Sequence, residues 1–157
     1  HLALSQHQDM LHISQNVDDL LERAGCNSNR LAQLHGTLTE DRCNRGCGHR
    51  ETINLRSPKP LRQCPNCADW MRPAVVWFGE TLPSSAWEAA ENWASNADVL
   101  LVIGTSASVY PAAGLIQNTK AAGGRVIVLN TQPSGASDLA DIEIIGACGI
   151  LLPVLLT

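Results

Sequence analysis

Two cysteine pairs, Cys43-Asn44-Arg45-Gly46-Cys47 and Cys64-Pro65-Asn66-Cys67, frame a stretch of chain that has little else to fold around. From residue 37 to about 73 the sequence turns to Arg, Asn, Gly, Cys and Pro, and its few apolar residues recur at no helical or strand period. Such a segment does not fold on apolar burial alone, and a bound metal supplies what the core does not. The tight C-x2-C turn brings two thiolates to one tetrahedral ion, and the C-x3-C pair is one residue looser, with Gly46 to absorb the extra residue. Four thiolates close the coordination sphere. Zinc held by Cys43, Cys47, Cys64 and Cys67 is therefore expected to be structural, with no open position for a substrate. His49 is an alternative ligand in place of Cys43 or Cys47, and four uncoordinated thiols are the plainer reading. Cys26 and Cys148 stand alone and read as packing residues. Paired cysteines at metal spacing, rather than a disulfide framework, point to a reducing, cytoplasmic compartment.

The flanking sequence has a different character. Residues 2–9 predict a short helix, 10–14 a short buried strand and 17–24 a helix ending at Gly25. Beyond the cysteines, 74–78 reads as a strand and 84–94 as a helix. Asp98-Val99-Leu100-Leu101-Val102-Ile103 is a continuous apolar run of the kind buried on both faces of a parallel sheet. A helix near 112–122, a strand at 125–129, a strand at 141–145 and a helix at 147–155 follow. The expected class is α/β, a partial Rossmann-like parallel sheet with helices plus a small zinc-binding module. Its boundaries fall at 1–37 and 74–157 for the nucleotide-binding part and 38–73 for the module.

The overall composition bounds the partners. The chain has 157 residues, 45% of them hydrophobic and 17% charged, which is enough to bury a core and excludes a disordered tail. No apolar run reaches the roughly 20 residues that cross a bilayer, so no membrane role is expected. A net charge of -4 gives no field for phosphate backbones, so nucleic acid is not expected either; a cationic, lysine-bearing peptide is compatible with it.

Two segments carry candidate chemistry. Ser14-Gln15-Asn16-Val17-Asp18 places hydrogen-bonding side chains where a buried strand runs into a helix, a position suited to a polar ligand, although Asn16 or Asp18 capping the helix is the simpler reading. His35, between Leu34 and Gly36, is expected in a tight turn where backbone approaches a ligand. Its proton affinity suits a general base near neutral pH, against the commoner structural role of a lone histidine.

Taken together, the run from Ser14 to Gly25, Leu34-His35-Gly36, the two cysteine pairs, Arg72-Pro73, Val75-Val76-Trp77-Phe78-Gly79-Glu80 and Gly104-Thr105-Ser106 resemble the sirtuin family in order and spacing over essentially the whole chain. The resemblance implies an NAD-dependent protein-lysine deacylase, releasing nicotinamide and O-acyl-ADP-ribose. It implies that His35 is the base that takes a proton from a ribose hydroxyl once the acyl oxygen has attacked the anomeric carbon, and that Asn16 shares the catalytic pocket. Asn16 and Asp18 match positions lining the nicotinamide and ribose pocket, and Gln15 a ribose contact. Gly104, Thr105 and Ser106 match the loop under the cofactor's phosphate and ribose, and Asn130 and Cys148 adenosine-side contacts. Val76, Phe78, Gly79 and Glu80 match the edge that pairs with an acyl-lysine peptide by β-augmentation. The zinc module is structural in that family.

Three departures accompany the resemblance. The first cysteine pair is C-x3-C where the family has C-x2-C; Ser14 stands for the usual Thr; and nothing corresponds to the family's first strand, its Gly-Ala-Gly phosphate loop and the arginine-bearing loop after it. The last departure predicts an exposed sheet edge, covered either by a homodimer through that edge or by another polypeptide that supplies the first part, and weaker NAD binding. Two competing readings are a nucleotide- or peptide-binding module without turnover, and a serine hydrolase built on Gly104-Thr105-Ser106-Ala107-Ser108, which lacks the second glycine of a nucleophile elbow.

Overall fold

The computed structural model describes residues 1–156. The apolar runs form the parallel half. Strands β6 (Val99–Ile103), β7 (Arg125–Asn130) and β8 (Ile142–Ile145) lie side by side in that order, all parallel, with Val99 opposite Arg125 and Ile127 opposite Ile142. Val126, Val128 and Leu129 of the central strand are fully buried, as a strand covered on both faces requires. Helix α4 (Gly114–Ala121) crosses between β6 and β7, and its Ile116 packs with Val102, Val126 and Val128.

Helix α3 (Ser84–Ser95) turns its small residues inward. Ala90 and Ala94 are buried against Ala32, Leu34, Ala112 and Leu115, with Trp87 and Trp93 at the margin of the cluster. Alanines on that face bring α3 and α4 close enough for the buried Thr119 hydroxyl to donate to the Ala94 carbonyl at 2.8 Å. Two short parallel strands, β1 (His12–Ser14) and β2 (Leu31–Gln33), form a separate sheet. Among the described residues β1 pairs only with β2 and β6 only with β7. A groove of about 260 Å³ lies between these two free edges, lined by Ile13 to Asn16 on one side and Leu100 to Gly104 on the other.

The cysteine-bearing segment folds as an antiparallel sheet in the order β4 (Arg50–Thr52), β3 (Gly36–Cys43), β5 (Met71–Val75). The strand expected at 74–78 is therefore displaced to 71–75 and belongs to this sheet rather than to the parallel half. Its polar neighbours hid the true register, because Arg72 is buried by charge pairing and not by apolar character. The expected helix at 17–24 shortens to α2 (Leu20–Arg23), since residues 15–17 are irregular and the Asp18 carboxylate accepts the Leu20 N–H at 3.0 Å. The first helix also shortens, to α1 (Leu2–Ser5), whereas α5 (Cys148–Leu155) lies close to its expected bounds.

Candidate active site and metal centre

The four paired cysteines converge. Their Sγ atoms all lie within 4.8 Å of one another, Cys43 and Cys67 at 3.3 Å and Cys47 and Cys64 at 3.6 Å. Zn–S bonds of about 2.3 Å require sulfurs about 3.8 Å apart at the corners of a tetrahedron, so the cluster fits a zinc ion with all four positions filled by thiolate. The crowding has an electrostatic signature. The Cys47 backbone N–H helps hold the Cys43 thiol down at about 6, whereas Cys67, although the Asp69 backbone N–H draws it down, is pushed up to about 12 by Cys43 and by burial. One thiolate is favoured and its neighbours resist a second negative charge, a repulsion that a divalent cation relieves. His49 makes its ring contact with Glu51 instead, at 3.0 Å. Buried Cys43, Cys64 and Met71 form the apolar cluster beneath this sheet, with Cys67 packed against it.

His35 lies where the two kinds of sheet meet, between the end of β2 and the start of β3. Its Nδ1–H donates to the Gln15 carbonyl at 2.8 Å, which fixes the ring and leaves Nε2 with its lone pair. The glycine after His35 has a packing role. Gly36 has φ +75°, and a Cβ there would sit 2.0 Å from the Ala74 carbonyl oxygen, so the glycine lets β5 approach β3. The cavity beside His35, of about 580 Å³, is walled by Val76 to Leu82, Trp87 and Val109 to Pro111. Trp87, Leu82 and Tyr110 were not legible as site residues. They come from a helix and a loop far apart in sequence, and only the packing of α3 beside β2 brings them to the histidine.

The remaining candidates gather in a second region. Gln15 and Asn16 line the groove between β1 and β6 together with Gly104 and Thr105. Gly104, Thr105 and Ser106 share a further cavity of about 460 Å³ with Asn130 and Gln132 to Gly135. A Cβ added at Gly104 would meet no atom within 4 Å, so the glycine leaves this space open. Asn130 shapes the loop, its amide donating to the Thr105 carbonyl at 2.9 Å and accepting the Thr131 N–H at 2.9 Å. Asp18 spends one oxygen on the Leu20 N–H and lines neither cavity, and Cys148 sits at the start of α5 with Sγ 3.7 Å from the Leu129 carbonyl. Glu80 turns its carboxylate inward. Arg72, with help from the Trp77 N–H and Arg42, holds it down at about 2.

A parallel α/β half joined at a histidine to a four-cysteine module defines the class of protein, and the sequence comparisons define it further. Residues 1–111 match the Sir2 family, and the chain belongs to that family. It is 42% identical, over 99% of its length, to an NAD-dependent protein deacylase of Thermococcus kodakarensis, and 43% identical over 98% to the NAD-dependent protein deacylase Sir2 of Mycolicibacterium smegmatis. It spans 64% and 65% of those two relatives. Among solved structures, a Sir2 homologue in complex with NAD superposes with a TM-score of 0.92 at 36% identity, covering 99% of this chain and 62% of that one. A Sir2 protein bound to acetylated peptide gives 0.88 at 29%, covering 99% and 67%. No helix among the described residues is long and apolar enough to cross a membrane.

Proposed function

We propose that this chain carries the base, the peptide edge and the zinc module of an NAD-dependent protein-lysine deacylase. The observation that supports this best is the fixed tautomer of His35, with Nδ1–H anchored on the Gln15 carbonyl and Nε2 left free beside an apolar cavity. NAD, when bound, would supply an electrophilic ribose carbon at which the acyl oxygen takes the place of departing nicotinamide. His35 Nε2 then receives the proton of a ribose hydroxyl, and Asn16, across the groove from Gly104, orients the nicotinamide end. Gln15, Gly104, Thr105, Ser106 and Asn130 hold the ribose and phosphate side, with Asp18 and Cys148 supporting them from behind. Leu82, Trp87 and Tyr110 shelter the acyl group from water, and the main chain of Val76 to Glu80 pairs with the peptide, a mode that tolerates varied sequence. Residues 38–73 act as the zinc module, and its thiolates suit the reducing cytoplasm.

The open groove between β1 and β6 favours a second reading for the isolated chain, in which nucleotide and peptide bind without turnover or the free edge pairs with a second copy. Release of nicotinamide from NAD in the presence of an acetyl-lysine peptide, compared between the chain and His35→Ala, decides between them. Turnover abolished by the substitution supports the deacylase. Zinc-loaded, folded protein that binds peptide but turns over in neither form supports binding alone, and sedimentation at several concentrations tests the dimer.

A further inference from the structure

The register of β3 and β5 sets Arg42 opposite Arg72. Two guanidinium groups facing each other across a sheet repel, and here each also keeps a buried Nε that has no partner among the described residues. The arrangement is tolerable only with an anion between them. Glu80 supplies it: its Oε2 accepts from Arg42 Nη2 at 2.9 Å and its Oε1 from Arg72 Nη2. The same carboxylate accepts the Trp77 N–H at 3.0 Å, Arg72 Nη1 donates to the Val75 carbonyl at 2.9 Å, and the Arg72 guanidinium stacks 3.9 Å from the Trp77 ring centroid.

These contacts close the segment into one shape. The Glu80 N–H donates to the Trp77 carbonyl at 3.0 Å over Gly79, whose φ is +87°, and the Val76 N–H donates to the His35 carbonyl at 2.9 Å. Within that frame the main-chain groups of Phe78 and Gly79 make no hydrogen bond among the described residues, and the Phe78 side chain is fully exposed. Phe78 and Gly79 are the central residues of this turn, and their free main-chain groups, held rigid from behind just past the end of β5, are pre-organised to meet the main chain of a bound peptide.

We propose that Glu80 is a positioning residue: with Arg42 and Arg72 it forms a clamp that fixes the 76–80 segment beside His35 and thereby sets affinity for the peptide. The inference rests on the deacylase reading for the identity of that peptide. The residue acts through its carboxylate on the two arginines and the Trp77 N–H, and it offers the peptide main chain only.

The test uses the zinc-loaded chain, with Glu80→Gln and Glu80→Asp, and reads two quantities. Hydrogen exchange reports the protection of the Trp77 and Glu80 amides, and fluorescence anisotropy reports binding of a labelled acetyl-lysine peptide. Loss of charge-assisted hydrogen bonds predicts about tenfold lower protection at both amides in Glu80→Gln, with protection at Val128 and zinc stoichiometry unchanged, and about tenfold weaker peptide binding. Glu80→Asp recovers part of both. Protection in Glu80→Gln within twofold of the wild type overturns the clamp, and lost protection with unaltered peptide affinity overturns its positioning role. A wild-type chain that binds no peptide while Glu80→Gln still loses protection sinks the deacylase reading and upholds the clamp.

Discussion

The two sides of His35 are held together by different means. On one side, β6 and β7 pair apolar residue with apolar residue from Leu100 opposite Val126 to Ile103 opposite Leu129, and Val126, Val128 and Leu129 disappear completely from solvent. On the other, the β4-β3-β5 sheet buries two cysteines and a methionine, and much of the rest of its pairing is polar: Arg50 with Glu40 at 2.9 Å, Arg62 with Asp41 at 2.8 Å and with Glu51 at 2.9 Å. The exposed Arg50–Glu40 pair contributes about 1 kcal/mol or less, and for the more buried Arg62 pairs the cost of desolvation offsets much of the attraction. The parallel half can therefore stand on burial, whereas the antiparallel sheet depends on what the cysteines hold. His35 and the 76–80 segment sit at the junction and need both.

Removing the metal gives the largest test of this contrast. Structural zinc in small domains contributes roughly 10–16 kcal/mol of apparent binding free energy that is also folding free energy. Chelation, or Cys64→Ser, is expected to unfold β3, β4 and β5 while β6, β7 and β8 keep their amide protection. Residue-resolved hydrogen exchange checks this, and simultaneous loss of protection in both sheets would show that the parallel half has no stability of its own.

The converse perturbation is smaller. Leu129 is fully buried at the end of β7, and Leu→Ala at such positions costs about 2–5 kcal/mol. Leu129→Ala is expected to lower the thermal transition of the parallel half and leave one zinc per chain. Thermal melts followed by far-ultraviolet circular dichroism, with zinc counted by a chromogenic chelator, read both quantities. Loss of zinc in this variant would mean that the cysteine sheet leans on the parallel half.

The same contrast explains what was legible in the sequence. The runs at 98–103 and 125–129 announced strands because apolar burial leaves a local pattern, and the cysteine pairs announced the metal because ligand spacing is local too. Strands β3 and β4 left no such trace. Gly36-Thr37-Leu38-Thr39-Glu40-Asp41-Arg42-Cys43 has no apolar face, and its partners, Arg50 for Glu40 and Arg62 for Asp41, are 10 and 21 residues away. His35 and the 76–80 wall of its cavity were singled out, but the opposite wall was not, because Trp87 reads as an ordinary helix residue until α3 is packed. The inward turn of Glu80 was likewise invisible, since it requires Arg42 and Arg72 to be already paired across the sheet.

Acid reaches the two regions through different chemistry, and this gives the finest discrimination. In the cysteine sheet, protonation of the thiolate ligands releases the metal, so that sheet is expected to open first as pH falls. In the parallel half the responsive group is Asp141. Lys120 Nζ at 2.6 Å and the Val126 N–H at 2.7 Å hold its carboxyl below the usual aspartate range, joining the end of α4 and the start of β7 to the approach to β8. A carboxyl whose folded value is depressed adds stability that is fully present above its unfolded value, near 3.8, and is lost as pH falls through the folded value. Asp141→Asn keeps an acceptor for the Val126 N–H and discards the charge that Lys120 answers. The variant is expected to melt slightly below the wild type at pH 6, to converge with it in strong acid, and to leave the earlier, zinc-releasing step where it was. Melting curves taken from pH 6 to pH 2 with zinc release recorded in parallel measure both steps. A shift of the zinc-releasing step in Asp141→Asn would show that the two regions share one acid transition, and the distinction between them would fail at its most sensitive point.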